Sequence, residues 1–281
     1  GGFARCDRRG SSDPREVFGV SVFRVPLELI ERFGSGLKRP EGVMCASDGS
    51  VWTVDEAGPC VRITADGAAT HVGNVGGKPN GICIERDGAV IVANIAGGVQ
   101  RLHADGHHDV VAERMADGRR LTTANFPFAD AEGRLWVTNS TARETYLAAL
   151  KEPGPDGTLC VIHEGECRAV ADGLWFANGV AVDAGGRYVY VAESTARRVV
   201  RFAVKDDGSV GPQEPYGPEL GPDGHPDGIA FDVEGNLWVT LPGMNALGVL
   251  RADGGWEIAV EDPEGTRLRR PTNICFGSAD L

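Results

Sequence analysis

Short apolar runs rich in β-branched residues alternate along this chain with glycine-containing turns, and they recur in a fixed order. A Pro-acid-Gly turn, Pro40-Glu41-Gly42, opens into Val43-Met44-Cys45. Asp48-Gly49 follows, then Val51-Trp52-Thr53-Val54. Two β runs around Asp-Gly predict a hairpin. The unit returns from Pro79-Asn80-Gly81, Ala124-Asn125-Phe126, Ala177-Asn178-Gly179 and Pro226-Asp227-Gly228, each time leading into a second apolar run. A sixth copy opens at Pro271-Thr272-Asn273. The residues after the turn proline or its alanine replacement are 41, 80, 125, 178, 227 and 272, with spacings of 39, 45, 53, 49 and 45.

Periods of this length with several short strands each are those of propeller blades. Two further strands per unit are visible, as in Val61-Arg62-Ile63 and Thr70-His71-Val72 around Asp66-Gly67. The expectation is an all-β fold, a six-bladed β-propeller with a central metal-binding channel. Residues 17–281 would form this one domain, with the last blade incomplete and the natural chain expected to run on for one or two strands. The strand-like stretch 17–33 could lend an outer strand to that blade, since a ring closes only when its sheet edges are covered. Residues 1–16, where Arg and Asp/Glu alternate without a period, read as a flexible extension.

Glycine, at 40 of 281 residues, falls in the turns. The formal net charge of −12 argues against nucleic acid or an anionic membrane surface as partner, because both want a basic patch. A small-molecule substrate is expected; the oligomeric state cannot be read. No apolar run approaches the ~18 residues of a membrane span and no leader pattern is present, so a cytoplasmic location is expected. Of seven cysteines, Cys45, Cys83 and Cys275 lie in first apolar runs and read as core packing. A tight turn at Glu164-Gly165 would set Ile162, not Cys160, opposite Cys167, which argues against a bridge there.

Equivalent positions of a propeller lie on a ring around its channel. Here that ring is Glu41, Asn80, Asn125, Asn178, Asp227 and Thr272, six oxygen donors. Two carboxylates with amide carbonyls suit Ca²⁺ best, then Mg²⁺ or Mn²⁺, and Zn²⁺ less for want of His or Cys. Asx residues beside Gly or Pro are also ordinary turn formers. Turn chemistry does not, however, require Glu41, nor does it explain Asn125 before Phe126.

The ordered set Arg39-Pro40-Glu41-Gly42, Lys78-Pro79-Asn80-Gly81, Phe176-Ala177-Asn178-Gly179, Pro226-Asp227-Gly228 and Arg270-Pro271-Thr272-Asn273 resembles the senescence marker protein/gluconolactonase/luciferin-regenerating enzyme family. The resemblance covers about residues 27–281. It implies one catalytic divalent cation, held by Glu41, Asn178 and Asp227, with Asn125 as substrate-side group or fourth ligand. It also implies hydrolysis of sugar lactones or, in relatives, of phosphoesters. On this reading Asp227 is ligand and general base, and Asn125 orients the substrate. Asn80, Thr123, Phe126, Thr272 and His225 are substrate-side candidates, His225 also as a proton shuttle. Two departures stand out: Phe126 where family members often have Asp, and Thr123 where sugar lactonases can have Arg. With Trp175 and Phe176 they suggest a more apolar substrate. Glu193 and Asp55, past the second strands, read as turn or surface groups, and His107-His108 as solvent-facing. The alternatives are an esterase or phosphoesterase on the same fold, a non-catalytic binding propeller, and a condensing enzyme like strictosidine synthase, whose catalytic Glu has no counterpart here.

Overall fold

The computed structural model describes residues 3–6, 23–56 and 58–277. Its hairpins follow from the turn chemistry. In the first, the Ala46 N–H donates to the Ser50 carbonyl (2.8 Å) and the Gly49 N–H to the Ala46 carbonyl (2.9 Å). Asp48 Oδ1 accepts the Ser50 N–H (2.9 Å), and Gly49 takes φ +80°, a left-handed geometry in which a Cβ would be strained. Asp66-Gly67 and Asp87-Gly88 repeat this arrangement.

Five four-stranded antiparallel sheets result, each in chain order. Blade 1 has strands 43–45, 51–54, 59–63 and 69–74; blade 2 has 78–84, 90–95, 98–102 and 108–112. Blade 3 has strands 124–129, 135–139, 157–163 and 166–174; blade 4 has 177–182, 188–193, 198–203 and 214–216; blade 5 has 229–231, 237–241, 246–250 and 256–261. First strands of successive blades pack against each other, so they lie innermost. The core sits between blades as a series of apolar layers. Ile82, Val90 and Val92 of blade 2 meet Val54 and Cys60 of blade 1. Trp136, fully buried, meets Val180 and Val191 across the blade 3–4 boundary.

The expected six blades are thus five. Residues 271–277 occupy the sixth place but carry no strand, because among the described residues no second strand follows to complete the hairpin ladder. Residues 23–33 close the gap instead. The Val25 N–H donates to the Ala259 carbonyl (2.8 Å) on the outer strand of blade 5, and Ile30 packs with Val260 and Leu268. Phe33 packs with Val61 and Ile63 of blade 1. Pro26 leads into a 3-10 turn, Leu27–Leu29, before the strand Ile30–Phe33. Phe3–Cys6, inside the stretch read as a flexible extension, is a strand pairing antiparallel with Ile30–Phe33. The rest of 1–16, with 17–22, lies outside the described residues.

Cys60, Cys83, Cys160 and Cys167 form no disulfide, Cys45 Sγ lies 3.5 Å from Cys275 Sγ, and Ile162 is the partner of Cys167 across the 157–163/166–174 hairpin. A helix, Tyr146–Lys151, is inserted between the second and third strands of blade 3, its N-terminus capped by Thr145 Oγ1 accepting the Ala148 N–H (3.2 Å). No helix among the described residues is long and apolar enough to cross a membrane.

Candidate metal centre

Hydrogen bonds between neighbouring blades carry the six ring positions around one axis. Arg39 Nη2 donates to Asn80 Oδ1 (3.1 Å), and Asn80 Nδ2 to Asn125 Oδ1 (2.9 Å). Thr138 Oγ1 donates to the Asn178 carbonyl (2.6 Å). The Gly179 N–H donates to the Asp227 carbonyl and the Gly228 N–H to the Thr272 carbonyl, each at 2.9 Å. Thr272 Oγ1 completes the circuit on the Glu41 carbonyl (3.2 Å). The sixth position is therefore in place although its blade is not.

Two carboxylates face this axis. Burial pushes the Asp227 carboxyl well above the usual carboxylate range, and the Glu41 charge adds to the effect; Arg39 and the Asn178 amide pull the other way and lose. Burial also raises Glu41, against the opposing charges of Arg39, Lys78 and Arg270. Arg39 Nη2 lies 3.2 Å from Glu41 Oε2. Two partly desolvated carboxylates against one close guanidinium leave negative charge uncompensated, which a cation would relieve.

The amide of Asn178 can be oriented from its partners. Ser194 Oγ donates its hydrogen to the Pro226 carbonyl (2.6 Å), so it must accept from Asn178 Nδ2 (3.1 Å). That turns Asn178 Oδ1 away from Ser194, and this oxygen is buried with no hydrogen-bond partner. A buried acceptor without a partner, on an amide that hydrogen-bonds the Asp227 carboxylate, fits a hard divalent cation. Asn125 differs: Nδ2 donates to Ser140 Oγ (2.8 Å), and Oδ1 already accepts from Asn80.

The remaining candidates separate. Thr123 is 1% exposed, its Oγ1 unpartnered. His225 is exposed; its Nδ1 lies 2.9 Å from the Ser194 carbonyl, which requires a proton on Nδ1 and leaves Nε2 the basic nitrogen of the neutral ring. Phe126 is given a packing role, with Trp136, Leu159 and Val180 in the blade 3–4 core. Asp55 and Glu193 are not surface groups. Asp55 accepts the Lys38 and Arg39 N–H groups (3.0 and 2.7 Å). Glu193, fully buried, accepts the Trp175 N–H (2.8 Å) and pairs with Arg198 (2.6 Å).

Sequence reasoning missed Arg39, Ser140 and Ser194. The signal for the serines was there: each directly follows the polar residue that ends its blade's second strand, Asn139-Ser140 and Glu193-Ser194.

The SMP-30/gluconolactonase/LRE-like region matches residues 39–281. The chain belongs to this family. Among curated relatives, the diisopropyl-fluorophosphatase of Loligo vulgaris is 28% identical over 180 residues, 61% of this chain and 56% of that protein. The pentonolactonase XacC of Haloferax volcanii is 27% identical over 185 residues, 60% of this chain and 57% of that one. The chain thus spans little more than half the length of these relatives. Among solved structures, a gluconolactonase from Xanthomonas campestris superposes with a TM-score of 0.71 at 20% identity, covering 86% of this chain and 80% of its own. That likeness supports the propeller fold.

Proposed function

We propose that this member of the family is a divalent-cation-dependent hydrolase that opens a small lactone ring. The observation carrying the reading is the buried, partnerless Oδ1 of Asn178, on an amide that hydrogen-bonds Asp227, whose carboxyl in turn feels the Glu41 charge. The family relatives named for lactone and fluorophosphate substrates support the same class of reaction. Glu41, Asn178 and Asp227 would hold the ion, with Ca²⁺ the best match to all-oxygen donors. Once bound, the cation supplies Lewis acidity to the scissile carbonyl oxygen.

The chain's own groups do the rest. The Asp227 carboxylate takes a proton from the attacking water. The water oxygen bonds to the carbonyl carbon, the ring C–O bond breaks, and the proton returns to the departing alkoxide. Asn125, its amide held at both ends by Asn80 and Ser140, orients the substrate. His225 Nε2 is the proton-accepting nitrogen nearest in sequence to Asp227 and acts as a shuttle between the site and solvent.

A phosphoester or fluorophosphate substrate is the second reading, favoured by the relative from Loligo vulgaris. The test is turnover of γ- and δ-lactones and of a fluorophosphate by wild type, Asp227→Asn and Asn178→Ala, with and without chelator. Lactone turnover lost on chelation, restored by one cation and absent in Asp227→Asn supports the reading. Turnover indifferent to both treatments sinks it, as would calorimetric cation binding equal in wild type and Asn178→Ala.

A further inference from the structure

Two residues before each ring position the repeat places a second set of side chains: Arg39, Lys78, Thr123, Phe176, His225 and Arg270. Their backbones are held by a recurring device. The Arg39 N–H donates to Asp55 (2.7 Å), the Lys78 N–H to Asn94 Oδ1 (2.9 Å) and the Thr123 N–H to Asn139 Oδ1 (2.8 Å), in each case with the acceptor 16 residues later. The Arg270 N–H donates to Asn245 Oδ1 (2.8 Å). A rigid scaffold therefore aims this collar, and the collar is one-sided. The sixth, first and second places of the ring contribute Arg270, Arg39 and Lys78, which are neighbours, whereas the third and fourth contribute Thr123 and Phe176.

Three adjacent cations are out of keeping with a chain of net charge −12. Arg39 is the innermost, bridging Glu41 and Asn80. The Lys78 ammonium is fixed at the rim by Tyr146 of the inserted helix, 2.5 Å from its Oη and 4.2 Å from its ring centre. Arg270 is exposed, and a polar cleft of about 560 Å³ lined also by Asn245, Glu264 and Arg269 opens beside it. Lys78 and Arg270 have no carboxylate partner within ion-pairing distance among the described residues. Arg39 has Glu41, and a divalent cation on Glu41 would take over that neutralisation and leave the guanidinium free to donate to a ligand.

We propose that Arg39, Lys78 and Arg270 form an oxyanion-binding half-collar over the channel, and that the substrate is a lactone bearing a carboxylate or phosphate directed at it. This rests on the hydrolase reading above. It sharpens the expectation of an apolar substrate: the uncharged side is confined to the third and fourth places, and the anionic end of the molecule lies across from it. The neutral scissile ring would sit over the Glu41, Asn178 and Asp227 set, with the charged group held on the basic side.

The test compares γ-butyrolactone with the same ring carrying a carboxylate or a phosphomethyl group, in wild type, Lys78→Met and Arg270→Gln, at low and high salt. Removing one charge-assisted hydrogen bond to the substrate predicts about a tenfold or larger change. Wild type should prefer an anionic ring by at least about tenfold in kcat/KM. Each variant should lower that preference by about tenfold, and salt should erode it. The larger of the carboxylate and phosphate preferences identifies the anion. Calorimetry with tetrahydrofuran-2-carboxylate, which has no scissile ester, separates this proposal from the hydrolase reading. Binding by wild type that disappears in the Lys78→Met/Arg270→Gln double variant supports the collar even where no ring is opened. Equal turnover of neutral and anionic rings, or a preference the variants leave intact, overturns the collar and leaves the hydrolase standing. Neither binding nor turnover overturns both.

Discussion

Thr272 Oγ1 donates a hydrogen bond to the backbone carbonyl of Glu41 across 3.2 Å, joining residues 231 positions apart in the chain. It is the step that closes the ring of inter-blade bonds at the one place where a four-stranded blade is missing. Here 271–277 holds to blade 5 through the Gly228 N–H to Thr272 carbonyl bond and reaches blade 1 through this hydroxyl. Thr272→Val keeps the shape and removes the donor. It is expected to cost about 0.5–1.5 kcal/mol in urea unfolding, with a larger rise in proteolysis of the 271–277 segment than of any blade. Unchanged cleavage there would show that packing of Ile274 with Trp238, not the hydroxyl, holds the closure.

The period and the turn chemistry were enough to read the blades and the ring, because both are local. Asp-Gly fixes a hairpin within a few residues, and the innermost position follows from its place after the turn proline or its alanine replacement. The blade count was not local. It depends on whether a hairpin finds its second strand, and Pro271-Thr272-Asn273 carries the same opening signal as complete blades. The setting of Phe126 is likewise non-local. It follows Asn125 in sequence, but the strand register shifts between Ala124 and Phe126, and the phenyl ring lies in the blade 3–4 core with Trp136 and Leu159. Arg39 escaped notice because its importance comes from Asn80, on another blade.

Asp55 and its counterparts give a prediction from within the chain. Asp55, Asn94 and Asn139 each accept the N–H of the residue 16 positions earlier, so the task needs an oxygen rather than a charge. Asp55→Asn should therefore cost little, while Asp55→Ala leaves the half-buried Arg39 N–H without its acceptor and costs about 1–3 kcal/mol. Denaturation of both variants checks it; equal losses would mean that the Asp55 charge, not its geometry, is what matters.

Gly248 marks a packing limit. A Cβ there would stand 1.9 Å from the Trp256 ring, whose indole lies across the strand 246–250. Gly248→Ala must displace that ring and is expected to destabilise by about 1–3 kcal/mol. Gly248→Ala/Trp256→Leu should recover part of the loss, since the clash is with the ring's far edge; a double variant no better than the sum of its parts would place the strain in the backbone instead.

Proton linkage at the ring gives a prediction with a definite sign. In the cation-free protein both Asp227 and Glu41 hold their protons more tightly than in the unfolded chain, because burial outweighs Arg39. The native state then binds more protons than the unfolded one, and stability falls as pH rises from the ordinary carboxylate range through the raised values. Each pH unit in that window costs up to about 1.4 kcal/mol per group. A bound cation takes the deprotonated form, so the stabilisation it confers should grow over the same window. Urea midpoints from pH 5 to 8, with chelator and with Ca²⁺, measure both curves. Diverging curves, with the chelated one falling, are expected. Parallel curves would mean that the cation does not bind at these carboxylates, whatever its effect on turnover.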